Sequence, residues 1–88
     1  MKVDIKNLEK EGKKWNIILK VELDKNELSR LDQNSLMKIH DFQVDLIGNI
    51  IYFQRYVEIS EPWEDLPIEE FIKNLKLEVE YKLNQLLT

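Results

Sequence analysis

The stretch Phe42-Gln43-Val44-Asp45-Leu46-Ile47-Gly48-Asn49-Ile50-Ile51-Tyr52-Phe53-Gln54-Arg55-Tyr56-Val57-Glu58-Ile59 decides the fold of this chain. Two apolar, β-branched and aromatic runs flank Gly48-Asn49. A Gly-Asn pair in that setting marks a two-residue hairpin, because Gly reaches the positive φ that a primed turn demands. With Ile47 opposite Ile50, the register sets Leu46 beside Ile51, Val44 beside Phe53 and Phe42 beside Arg55 on one face. The other face carries Ile47 with Ile50, Asp45 with Tyr52, Gln43 with Gln54 and Asp41 with Tyr56. The first face is nearly all hydrocarbon, and the second is mixed and holds two tyrosines. A sheet with a core side and a second, mixed side follows, and the pattern leaves open whether that second side is covered.

A second hairpin precedes it. In Trp15-Asn16-Ile17-Ile18-Leu19-Lys20-Val21-Glu22-Leu23 every odd position is apolar, the period-2 signature of a half-buried strand. Val3 and Ile5 share that parity. A three-residue loop Lys10-Glu11-Gly12, with Gly12 left-handed, pairs Ile5 with Ile17 and Val3 with Leu19. A two-residue Glu11-Gly12 loop sets Lys6 against Ile17 and spoils the core face, so the longer loop is preferred. Leu8 fits neither parity.

Asp24, followed three residues later by Glu27, forms a capping-box pattern at the start of a helix. Leu28, Leu31 and Ile39 share a stripe, but Asp32-Gln33-Asn34-Ser35 is poor helix sequence, which predicts two short pieces near 25–31 and 35–39. After the second hairpin, Ser60-Glu61-Pro62-Trp63-Glu64-Asp65-Leu66-Pro67 reads as a turn segment, with Pro67 suited to the first turn of a helix. From there Ile68, Phe71, Ile72, Leu75, Val79, Leu83 and Leu86 fall in a stripe about 100° wide. Glu64, Asp65, Glu69 and Glu70 sit where the helix dipole favours acids. Leu77 and Tyr81 lie on the opposite side of this helix. The predicted fold is α+β: a four-stranded antiparallel sheet made of two hairpins, helices on one face, order β-β-α-β-β-α, one domain over residues 1–88.

Composition bounds the function. Hydrophobic residues make up 43% and charged residues 34%, the profile of a globular chain rather than a disordered one. Cys is absent, so disulfides, thiolate metal sites and cysteine catalysis are excluded. No apolar signal region and no membrane-length run is present, and the expected compartment is the cytoplasm. The chain lacks Ala and has two Gly, two Pro and two Arg, while Ile, Lys, Asn and Leu abound. That bias fits an AT-rich genome such as that of a low-GC bacterium, its phages or an AT-rich archaeon. Net charge is −4, unevenly spread: residues 1–20 carry six Lys against three acids, and residues 61–88 carry seven acids against three Lys. An acidic total disfavours non-specific nucleic-acid binding and suits a basic partner.

The residues give little support to catalysis. His40 is the single histidine, and its neighbour Asp41 points to the opposite face if both lie in a strand. Metal binding requires a second imidazole or a carboxylate cluster. Asp24-x-Asn26 begins like a calcium loop but lacks the glycine at its sixth position. Two glycines cannot build a phosphate-cradling loop. No enzyme, metal or cofactor is expected. Arg55, the one charge on the core face, is expected to stack on Phe42 or pair with Glu69 or Glu70.

Two function classes remain. The first is a small non-enzymatic protein-interaction module that binds a partner stoichiometrically, another protein or a second copy of itself. A phage or mobile-element inhibitor is one form of it, the class to which anti-CRISPR proteins belong. Its candidate surfaces are Ile47, Ile50, Tyr52 and Tyr56 on the open sheet face with Ile18, Leu77 with Tyr81 on the last helix, and Trp63 among Glu61, Glu64 and Asp65. The alternative is a single-stranded nucleic-acid or DNA-binding module. It would use Lys10, Lys13 and Lys14 at the first hairpin tip, Lys20, and the two tyrosines as a stacking platform.

Overall fold

Gly48 has φ +63° and Asn49 a negative φ, the pattern of a type II′ turn. The strands it joins, β3 (Gln43–Ile47) and β4 (Ile50–Glu58), pair in the register the sequence dictates, from Ile47↔Ile50 to Gln43↔Gln54. The computed structural model describes residues 1–58 and 68–87. The remaining elements are β1 (Lys2–Glu11), β2 (Lys14–Glu22), α1 (Lys25–Arg30), α2 (Gln33–Leu36) and α3 (Ile68–Leu86). The sheet is antiparallel, in the order β1-β2-β4-β3. β2 and β3 therefore run parallel with β4 between them, and α1 and α2 make the crossover.

The first hairpin departs from the expected loop. Glu11 pairs with Lys14 across a two-residue turn, Gly12-Lys13, with Gly12 at φ +62°. Both hairpins thus turn on a Gly at the first loop position. The new parity brings Leu8 opposite Ile17, while Ile5 pairs with Leu19 and Val3 with Val21. Leu8 and Ile5 are an odd number of residues apart, and no regular strand sets such a pair on one face. An extra residue has to be absorbed between them, and the register shifts at Lys6, a β-bulge. Neither the Lys10-Glu11-Gly12 loop nor the pairing of Ile5 with Ile17 is formed.

Asp24 caps α1 through both halves of the box: Glu27 N–H donates to Asp24 Oδ1 at 2.7 Å, and Asp24 N–H donates to Glu27 Oε1 at 3.1 Å. The sequence that looked poor for a helix is the cap of the next one. Asp32 accepts from Ser35 N–H at 3.2 Å and from Ser35 Oγ at 2.8 Å, which divides the segment into α1 and α2. The core lies between the sheet and the helices. Ile17, Leu19 and Val21 of β2, with Ile51 and Phe53 of β4, meet Leu31 and Leu36 of the crossover and Leu75, Val79 and Leu83 of α3. The end of α3 is fastened to the crossover by Asp32 N–H donating to the Leu86 carbonyl at 3.0 Å and by the bridge Leu31↔Leu87.

Candidate functional site

The open face of the sheet carries the residues on which both function classes rest. Tyr52 and Tyr56 alternate along β4 with the core positions, beside Ile50 and Gln54, and Ile47 and Asp45 flank them on β3. Ile47 is 62% exposed and Tyr56 51%, while Ile18, Ile50 and Tyr52 are half-buried. Among the described residues no helix packs on this face. A hollow of about 320 Å³ lies on it, with Ile18, Tyr52 and Gln54 among its lining residues and Lys6, Gln43, Asp45 and Ile47 around them.

The bulge shapes this hollow. As the absorbed residue of β1, Lys6 reaches across β2 and sets its ammonium 4.3 Å from the Tyr52 ring centroid, a cation–π contact. Lys20, cross-strand from Tyr52, pairs with Glu22 at 3.1 Å. That hydrogen bond, more than any other influence, holds the Lys20 ammonium pKa above its ordinary value. Lys2 stands 3.8 Å from Asp4. Asn16 is the one buried polar side chain among the described residues, and its Oδ1 accepts from Gln54 Nε2 at 3.0 Å. Gln54 Nε2 also donates to the Tyr56 hydroxyl at 3.4 Å, so the middle of the face is a hydrogen-bonded polar ladder.

Strand parity fixes the charge of this face. Lys2, Lys6, Lys14 and Lys20 share it with Asp4, Glu9, Glu11, Glu22, Asp45 and Glu58. The carboxylates outnumber the ammonium groups, which does not favour a polyanion. The first hairpin tip is divided as well. Lys10 is the cross-strand neighbour of Trp15 on the helix side, Lys14 of Glu11 on the open side, and Lys13 lies in the turn. The four candidate phosphate-binding lysines are therefore spread over two faces.

Leu77 and Tyr81 are 54% and 66% exposed on the outer side of α3, across the domain from the open sheet face. The two surfaces do not merge. Trp63, Glu61, Glu64 and Asp65 lie outside the described residues, as do Ile59 and the proline turn segment.

Arg55 stacks as expected, its guanidinium carbon 3.8 Å from the Phe42 ring centroid, and Phe42 meets Phe53 edge-on at 5.5 Å. Its acid is neither Glu69 nor Glu70. Arg55 makes a bidentate pair with Glu78, Nη1 to Oε2 at 3.2 Å and Nη2 to Oε1 at 3.1 Å, and Nε donates to the Asp41 carbonyl at 3.0 Å. Glu69 and Glu70 lie in the first turn of α3, more than two turns from Glu78. Asp41 does not pair with Tyr56 because the chain leaves the sheet at Gln43. Its carboxylate meets Lys82 at 3.0 Å, and that hydrogen bond, with the Lys82 charge next, holds the Asp41 carboxyl below the usual aspartate range. A signal for this network stands in the sequence: Glu78 and Lys82 are an i,i+4 pair flanking the buried stripe of Leu75, Val79 and Leu83.

His40 is exposed, and no group of three His, Asp or Glu side chains able to hold a metal ion is found among the described residues. No helix among the described residues is long and apolar enough to cross a membrane. No protein-family model, curated protein or solved structure matches this chain.

Proposed function

We propose that this chain is a small protein-interaction module that acts by stoichiometric binding, not catalysis, through the β3–β4 half of its open sheet face. The observation that carries the reading is the exposure of Ile47 and Tyr56 there, beside half-buried Ile50 and Tyr52, around a concave surface. Tyrosine is among the residue types enriched at interface hot spots. The balance of charge on the face favours a protein over a nucleic acid. In its finer form the reading is a cytoplasmic inhibitor encoded by a phage or mobile element and directed at a basic partner surface. Chain length, a net charge of −4 and the AT-rich composition support that form.

Two solution measurements test the reading. Light scattering coupled to gel filtration distinguishes a monomer awaiting a partner from a homodimer closed through this face. Fluorescence anisotropy with a short labelled single-stranded oligonucleotide at low salt is expected to show no binding. Binding that disappears in Tyr52→Ala and Tyr56→Ala would replace the protein-interaction reading with the nucleic-acid one. Charge reversal at Glu61, Glu64 and Asp65 separates the acidic segment from the sheet face, since capture of a partner that survives the reversal assigns it to the sheet.

A further inference from the structure

The two edges of the sheet are built differently. β1, although ten residues long, bears Lys2, Lys6 and Lys10 and is interrupted by the bulge at Lys6, and lysines and a bulge discourage a further strand from pairing. β3 has none of them: Gln43-Val44-Asp45-Leu46-Ile47 is unbulged, without Pro or Lys. The residues flanking a two-residue turn exchange both ladder bonds, so Ile47, Asp45 and Gln43 bond to β4. The backbone groups of Val44 and Leu46 then point outward, and among the described residues no partner strand meets them. Asp45 is exposed on the open face and makes no ion pair among the described residues, and the rest of the chain, 59–67 and Thr88, contains no Lys or Arg. An edge with no partner strand among the described residues, a carboxylate outside any ion pair there, and a flank of the 320 Å³ hollow that Lys6, Asp45 and Ile47 help to line coincide along β3.

We infer that the outer edge of β3 receives an extended, basic segment of a protein partner, which adds a strand to the sheet and places a Lys or Arg beside Asp45. This deepens the interaction-module reading and rests on it. Main-chain bonds to Val44 and Leu46 supply affinity, and the alternate side chains facing Asp45 and Ile47 supply selectivity. A second copy of this chain is a poorer occupant. The β3 strand carries Asp45 and no base, so self-pairing leaves the carboxylate uncompensated and, in the register centred on Asp45, sets two carboxylates face to face.

The test is an NMR titration of the isotopically labelled protein with a short synthetic peptide of alternating valine and threonine, one central threonine replaced by lysine, and its glutamate twin. The lysine peptide is expected to bind about tenfold more tightly than the glutamate peptide, with slowed exchange of the Val44 and Leu46 amide protons. Asp45→Lys, at an exposed position, reverses the preference, and Asp45→Asn removes it. Equal binding of the twins, no binding, or shifts confined to the outer side of α3 would overturn the edge assignment. Capture of a partner that still depends on Ile47 and Tyr56 would leave the module reading standing in that case, so the two failures are distinguishable.

Discussion

Leu23 and Asn49 clasp each other: Leu23 N–H donates to the Asn49 carbonyl at 3.0 Å, and Asn49 Nδ2 donates to the Leu23 carbonyl at 3.0 Å. The second residue of the β3–β4 turn therefore extends the β2–β4 pairing past Glu22↔Ile50 and joins the two hairpins. Leu23 is buried, so an unfilled carbonyl there is costly. Asn49→Ala is expected to destabilise by about 1 kcal/mol in urea unfolding. Gly48→Ala is expected to cost about 1–2 kcal/mol through backbone strain alone, because an added Cβ meets nothing within 4 Å. A melting temperature unchanged by Gly48→Ala would remove the strained turn from this account.

The bulge at Lys6 makes a second prediction. Lys6→Ala keeps the extra residue and loses only a partly exposed cation–π contact, a cost of about 0.5–1 kcal/mol. Deleting Lys6 brings Leu8 to two residues from Ile5, so a regular strand buries Leu8, Ile5 and Val3 without a bulge, and the deletion is expected to cost no more than Lys6→Ala. Chemical denaturation of the two variants checks this. A deletion variant less stable than Lys6→Ala by about 2 kcal/mol or more would contradict the reading of Lys6 as the absorbed residue.

Arg55 ties the sheet to α3. The pair with Glu78 is half exposed, so much of the cost of Arg55→Ala comes from packing lost on Phe42 rather than from charge. Arg55→Ala is expected to cost about 1–2 kcal/mol, and a double-mutant cycle with Glu78→Ala to return a coupling of roughly 0.5–1 kcal/mol. A coupling near zero would make Arg55 purely a packing residue.

Acid should loosen the α2 cap and the contact of Asp41 with α3. Asp41 and Asp32 both have depressed carboxyl pKa values, Asp41 through Lys82 and Asp32 through Ser35. A carboxylate depressed in the folded state stabilises fully above its unfolded pKa, about 3.9, and loses that contribution as pH falls through the lower folded value. Stability should thus decline below about pH 4, and the acid slope should flatten in Asp32→Asn, which retains a capping oxygen without the titrating charge. An unchanged slope in a double variant Asp32→Asn, Asp41→Asn would assign acid sensitivity elsewhere.

The β3–β4 register, the α1 cap and the α3 stripe were legible because each is a local pattern whose period or spacing has one reading. The first hairpin was not, because a bulge changes parity within a strand. Leu8 was the residue that carried the information, since its odd separation from Ile5 demands an extra residue. Strand order depends on β2 meeting β4 across about thirty residues of chain, a pairing that no local pattern encodes. The tyrosines of the open face could be named from alternation alone. The commitment of Lys6 to Tyr52, and the excess of carboxylates around them, required the bulge and the pairing of all four strands.

Binding through the open sheet face is tested by quantitative capture of partners from the source cells with the wild-type chain and with a double variant, Ile47→Thr and Tyr56→Thr. Threonine keeps β propensity and removes the exposed anchors, so the melting temperature should barely move. The wild type is expected to retain a protein in a one-to-one complex, and the variant at least about tenfold less of it. Equal capture by the variant, with both chains folded, would contradict the assignment of the open sheet face as the binding surface.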